Sequence, residues 1–372
     1  MSLPPARRIR RFCLVLAATA AFGFAGVTAP AAAHGEQDAT ASPAAAAVAT
    51  AKKTAKDLDA YWTPQRMKAA EEIPAPAALS GTRSGERTAA RQLSATGISA
   101  SADAVVPKGA TPRPLGSVGT QAADISVSQR WPGPTTSWPL NVVGKLFATL
   151  PDGRDGQCSA SVIVSNTGSA LWTAAHCVHE GKNNENGFFS NVTFAPAYHG
   201  GQTPWGKWEA DKLIVPTSWA DGDFDRQLDA DMGSVVLKPL APYGKIQDAM
   251  GAYGYQFSFN TDYSDVLTFG YPSEGYQRPD SDFYDAEYLM YCYGNTEDAF
   301  PGFPLDNRLK MDCDMGRGSS GGPFLTGNLE DIKIVGANSH TNGAGTDRQN
   351  DDLFSSEHAN HAIGVINAVN AL

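Results

Sequence analysis

From about residue 136 onward this 372-residue chain reads as an all-β domain. Short β-prone runs recur at close spacing, turn-forming pieces separate them, and convincing helical periodicity is confined to the last stretch. The runs are Val142–Leu150, Ser159–Ser165, Ala170–Thr173, Val192–Ala197, Lys212–Val215, Ser234–Leu237, Val266–Phe269, Leu289–Tyr293, Pro323–Leu325 and Ile332–Ala337. Pieces such as Pro151-Asp152-Gly153, Asn166-Thr167-Gly168 and Asp221-Gly222 punctuate them. Many short strands argue for a sandwich or barrel over a parallel sheet with crossover helices. The length suits one large all-β domain or two small barrels. From Ser355 onward, Ala362, Val365, Ile366, Val369 and Leu372 recur at helical spacing, with Ser355 or Ser356 as the N-cap.

Two segments precede this domain. Residues 1–33 have the pattern of a secretory signal peptide: Arg7, Arg8, Arg10 and Arg11, an uncharged apolar run Phe12–Val27, then small-residue cleavage sites ending near Ala33. The apolar run is short of the ~20 residues a spanning helix needs. A secreted product with no stable membrane association is expected. Residues 34–135 are rich in Ala, Pro, Ser and Thr, a composition that buries too little apolar surface to offset ordering entropy. They are expected to be largely disordered, with helix possible over Ala51–Glu72 before Pro74. The segment reads as a linker or as a pro-segment removed on activation.

The formal net charge is −10 and no Lys/Arg cluster follows the signal segment, which argues against a nucleic-acid surface. Of five cysteines, Cys13 lies in the signal segment, leaving Cys158, Cys177, Cys292 and Cys313 with three possible pairings in an exported chain. Neither neighbouring pair has the short spacing of a zinc knuckle.

The stretch with most chemical content is Gly318-Ser319-Ser320-Gly321-Gly322-Pro323. A serine among glycines places a hydroxyl on a tight turn and leaves backbone N–H groups free to aim at a ligand. A hydroxyl is a weak nucleophile without a base and a group to orient that base. Candidates are His176 in Thr173-Ala174-Ala175-His176-Cys177 and Asp231 at the head of an apolar strand, with Asp225 and Asp229 close by.

In these three segments, and in Ile334-Val335-Gly336-Ala337-Asn338-Ser339, the chain resembles the chymotrypsin-like serine peptidases, especially a secreted bacterial branch that includes glutamyl endopeptidases. The resemblance covers about 140–372. It implies two antiparallel β-barrels with the catalytic cleft between them and a C-terminal helix. It further implies a secreted endopeptidase, acting as a monomer on polypeptides, with His176 as base, Asp231 as its orienting acid and Ser320 as nucleophile. The N–H groups of Gly318 and Ser320 would form the oxyanion hole. Cys158–Cys177 is the bridge the family implies, which leaves Cys292–Cys313. No metal or organic cofactor is implied.

Two departures from trypsin stand out. Ser319 occupies the position of the aspartate that, in trypsin-like zymogens, pairs with the new N-terminus, so activation would proceed differently. Cys313 lies farther from the serine than trypsin's nearest cysteine. Specificity has two readings. Asp314, six residues before Ser320, falls where trypsin carries its pocket carboxylate and would select Arg or Lys. Cleavage after Glu is the competing expectation, although glutamyl endopeptidases place their histidine where this chain has Asn338, not at His340.

Ser339 is expected to present backbone to an extended substrate. His179, His199, His358 and His361 read as surface or packing residues, and Trp205-Gly206-Lys207-Trp208 as core and loop anchoring. Asn191-Val192-Thr193 matches a glycosylation acceptor, relevant only in a eukaryotic secretory pathway. The α/β-hydrolase elbow also fits Gly318-x-Ser320-x-Gly322, but a β-run follows this serine where that fold needs a helix. A catalytically inactive binding homologue is the remaining alternative.

Overall fold

The computed structural model describes residues 42–75, 98–110, 124–222, 228–301, 307–328, 331–343 and 347–372. The expected signal segment lies outside them. Among the described residues, no helix is long and apolar enough to cross a membrane.

The first described stretch is folded, contrary to the expectation from its composition. It runs through β1 (Ala46–Thr50), α1 (Leu58–Tyr61), α2 (Pro64–Ala69) and β2 (Glu71–Glu72). The helix expected over 51–72 is thus two short ones. Asp57 caps α1 by accepting from the N–H groups of Asp59 and Ala60. Thr63 caps α2 by accepting from Arg66, with Pro64 opening the helix. Composition misled for a physical reason. The alanine-rich strand β1 docks through main-chain hydrogen bonds, which need no large side chains. Of the few large apolar residues present, Leu58, Trp62, Met67 and Ile73 are buried in the main core, while Val48 is exposed. Each such burial is worth about 1.5–3 kcal/mol.

Residues after 98 belong to the second sheet. Strand β3 is Ala100–Ala102 and β4 is Ile125–Arg130. Trp131 packs edge-on against Phe269 and Tyr291 at 5.6 and 5.1 Å between ring centroids. The compositional border near 135 therefore falls inside a packed unit.

The first barrel consists of β5 (Val143–Thr149), β6 (Asp155–Ile163), β7 (Ala170–Thr173), β8 (Ser190–Pro196), β9 (Trp208–Pro216) and β10 (Gly233–Leu237). Their order is β9-β10-β7-β6-β5-β8, and pairing of β8 with β9 closes the ring. Strand β1 adds antiparallel to β9, and β2 adds parallel to β6. Helix α3 (Thr217–Ala220) follows β9, and α4 (Ile246–Met250) leads to the second sheet.

That sheet contains β11 (Gly254–Phe257), β12 (Val266–Gly270), β13 (Met290–Gly294), β14 (Glu297–Asp298), β15 (Leu309–Asp312), β16 (Pro323–Asn328), β17 (Asp331–Thr341) and β18 (Asp352–Ser355). The path is β14-β15-β18-β17-β16-β12-β13-β4, with β11 on β17 and β3 on β11. It curls into a half-barrel, completing the all-β two-barrel class. All ten expected runs fall on strands, with ends that differ by a few residues. The C-terminal helix α5 is Asn360–Asn370. It begins later than expected because Ser355 ends β18 and the cap position is Ala359. Glu357 instead accepts from the Asn360 N–H at 2.9 Å.

The four cysteines form Cys158–Cys177 and Cys292–Cys313 bridges. The proposed glycosylation asparagine is unsuited to modification in the fold. Asn191 is buried, its Nδ2 donating to Thr54 Oγ1 and Thr149 Oγ1 and its Oδ1 accepting from the N–H groups of Thr54 and Ala55.

Candidate active site

Strand register brings the base and acid candidates to one end of the first barrel. Thr173 at the end of β7 pairs with Gly233 at the start of β10. His176 follows the one in a 3₁₀ turn, and Asp231 precedes the other. The Asp231 carboxylate, fully buried, accepts the His176 N–H at 3.0 Å through Oδ1. Its Oδ2 lies 2.8 Å from His176 Nδ1 and accepts the Ser339 hydroxyl at 2.6 Å. Burial opposes ionisation of Asp231, but the His176 imidazole and hydrogen bonds from His176 and Ser339 outweigh it and hold the carboxyl below its usual range. Nε2 of His176 has no hydrogen-bond partner among the described residues. Asp229, the neighbouring acid, is engaged by Arg308 at 3.4 Å, and Asp225 lies outside the described residues.

Ser320 precedes β16 in the second sheet and is tied to the first barrel. Its carbonyl accepts from the Ser159 N–H at 2.7 Å and lies 3.7 Å from Cys177 Sγ, next to His176. Ser159 is a junction that sequence reasoning missed. Its hydroxyl donates to Gly318 O and accepts from the Tyr271 N–H, while its carbonyl accepts the Thr173 hydroxyl. A serine in an ordinary strand gives no local signal of such a role.

Ser319, in the loop before Ser320, is held by hydrogen bonds. Gly318 has φ +88°, a conformation that side chains resist. The Ser319 hydroxyl donates to Gly316 O at 2.7 Å. Asn338 donates to Phe269 O and Ser319 O, and its Oδ1 accepts the Thr268 hydroxyl. Asn338 is thus a cross-link beneath the loop, and its side chain is consumed there. The N–H groups of Gly318 and Ser320 donate to no protein acceptor among the described residues.

Asp314 does not occupy the position expected of a pocket floor. One oxygen accepts the Ser128 N–H at 2.8 Å, and the other pairs with Arg278 at 2.7 Å. Ser128 belongs to β4, so the extra strand converts this acid into a structural anchor. Arg348, also unforeseen, donates to the carbonyls of Cys313, Asp314 and Met315 and braces the same wall.

A cavity of about 190 Å³ opens beside Ser320. Asn338 to Thr341 line it together with Gly316, Arg317, Ser319 and Glu274. Ile73, Pro74, Ala75, Gly343 and Leu353 also line it. His340 stacks on Phe354 at 4.9 Å; its Nε2 is 3.1 Å from Arg308 and its Nδ1 is 2.9 Å from Ser339 Oγ. Ser339 therefore bridges the acid candidate and the pocket wall through its side chain, beyond the backbone role expected of it. The Cys/His/Asp groupings within metal-ligating distance contain the bridged cysteines, so their sulfurs are already committed. His358 is buried and accepts from Trp172 Nε1 at 2.9 Å; burial pushes it down to about 4.

The fold is that of the chymotrypsin-like serine proteases, and comparison with known proteins agrees. Protease Anisep from Arthrobacter nicotinovorans is 29% identical with a TM-score of 0.54, covering 66% of this chain and all of that one. The thermostable serine protease AL20 from an extremophilic microorganism is 26% identical with a TM-score of 0.50, covering 62% of this chain and 97% of that one. A curated relative, the glutamyl endopeptidase of Bacillus licheniformis, is 24% identical over 170 residues, or 43% of this chain. The chain spans about half the length of that relative, 48%. No family model matches the chain.

Proposed function

We propose that this protein is a secreted serine endopeptidase acting through Ser320, His176 and Asp231. One observation carries the reading: a buried carboxylate holds both the backbone and Nδ1 of His176, leaving Nε2 unpartnered at the turn that abuts Ser320. Ser320 Oγ attacks the scissile carbonyl carbon while His176 Nε2 takes its proton. The imidazolium, stabilised by Asp231, then gives that proton to the leaving amine, and water reverses the sequence on the acyl-enzyme. The oxyanion is received by the N–H groups of Gly318 and Ser320, where one lost donor costs about 10²–10³ in rate. The two disulfides are consistent with an oxidising compartment.

On specificity, selection of Arg or Lys loses its support, because the Asp314 carboxylate is engaged by Arg278 and Ser128 and does not line the cavity. Cleavage after an acidic side chain is the better reading. The cavity wall carries His340 and Arg317, and the one carboxylate among its described residues, Glu274, lies 3.5 Å from Arg317. A panel of peptide substrates differing only in the residue before the cut tests this. Faster turnover of Glu than of Arg or Lys substrates is expected; the reverse order would refute it.

A further inference from the structure

We propose that residues 42–75 are an intramolecular inhibitor that obstructs the cleft at Ser320, an inference that rests on the peptidase reading. The segment is anchored along its length on the first barrel. Strand β1 extends the sheet through β9, from Ala46 opposite Pro216 to Thr50 opposite Lys212. The buried Trp62 indole donates to Asn191 O at 2.9 Å, and Lys207 Nζ donates to the carbonyls of Asp59 and Trp62 at 2.6 and 2.8 Å. Arg66 pairs with Asp155.

The anchored chain is then delivered to the site. Glu71 and Glu72 pair with Gly156 and Gln157 on β6, immediately before the Cys158 bridge to the His176 turn. The Ile73 N–H donates to Gln157 O at 3.2 Å. Ile73 packs directly over Gly156, where a built Cβ would lie 2.4 Å from Ile73 Cγ1; only glycine leaves this room. Glu72 Cγ lies 3.3 Å from the position a Cβ would take on Gly318, in the loop that leads to Ser320. Ile73, Pro74 and Ala75 line the same cavity as Ser320 and His340. A polypeptide substrate entering along β6 therefore meets backbone pairing already used and apolar side chains already in place.

Restraint then lies in occupancy of the cleft. The Ser319 loop, whose order comes from hydrogen bonds within the same domain, stays out of the switch.

The test compares the intact chain, confirmed by mass, with two variants altered on opposite sides of the contact. Ile73→Asp places a charge against the barrel, and Gly156→Ala wedges Ile73 outward. Each is expected to raise peptide turnover by the uncut chain about tenfold or more, since the competent fraction scales the observed rate. In parallel, wild-type chain is cut by immobilised trypsin within 76–97, where Arg83, Arg87 and Arg91 lie. Its activity should rise on dilution and fall again on adding a synthetic peptide of residues 42–75. Equal turnover by intact wild type and both variants, with no response to dilution or peptide, would overturn the inhibition alone. Absence of turnover and of a fluorophosphonate adduct on Ser320 in every form would overturn it through the peptidase reading.

Discussion

Asp231→Asn changes the site by one atom and reverses its hydrogen-bond logic. The carboxylate now accepts from three donors: His176 N–H at 3.0 Å, Nδ1 at 2.8 Å and the Ser339 hydroxyl at 2.6 Å. An amide offers only one accepting oxygen. With the NH₂ toward Nδ1, the imidazole must accept there and carry its proton on Nε2, where it can no longer take one from Ser320. With the NH₂ turned the other way, it confronts the His176 N–H inside a fully buried site. Either orientation removes the charge that stabilises the imidazolium. The expected loss is ~10⁴ in kcat at neutral pH, or about 5 kcal/mol of transition-state stabilisation. The assay is initial-rate hydrolysis of a chromogenic peptide by the processed protein, with thermal unfolding to show that the variant folds. A folded variant within tenfold of wild type would refute the assignment of Asp231 and move attention to the neighbouring acids.

Ser319→Ala deletes the bond to Gly316 O, worth about 1 kcal/mol; kcat should fall roughly fivefold with KM nearly unchanged in steady-state kinetics. Asp314→Asn should lower stability by about 1–3 kcal/mol in denaturant melts, through its links to Ser128 and Arg278, and leave the ratio of Glu to Arg turnover unaltered. Lys145 is buried, and burial pushes its ammonium from 10.5 down to about 8, with Glu287 opposing. Below about pH 8 it is charged in both states and burdens the fold. Between about 8 and 10.5 the unfolded chain binds more protons, so stability rises by at most roughly 3 kcal/mol. The stability of wild type relative to Lys145→Met, measured by denaturant melts from pH 7 to 9.5, should therefore increase with pH.

The β-runs from Val142 to Ala337 were legible because each combines β-branched or aromatic residues with flanking turn signals. Three of the strands that escaped notice have other origins. Strand β1 is alanine-rich and held by main-chain pairing, while β2 and β14 are two-residue bridges set by their partners. Local chemistry announced His176 and Ser320 because a base beside a cysteine and a serine among glycines are unusual patterns. Ser159, Asn338 and Arg348 gave no such sign, since their roles arise from carbonyls and amides distant in sequence. Asp314 shows the converse. Its spacing from Ser320 suggested a pocket floor, but β4, drawn from a stretch of unpromising composition, supplies the N–H that fixes it elsewhere.

The proposed catalysis requires Ser320 to be a nucleophile activated by His176. Labelling the processed protein with a fluorophosphonate, followed by peptide mapping, addresses it most directly. A single adduct on the peptide containing Ser320, absent in Ser320→Ala and formed far more slowly in Asp231→Asn, is the expected result. A folded, processed protein that takes no label, or takes it at another residue, would contradict the account.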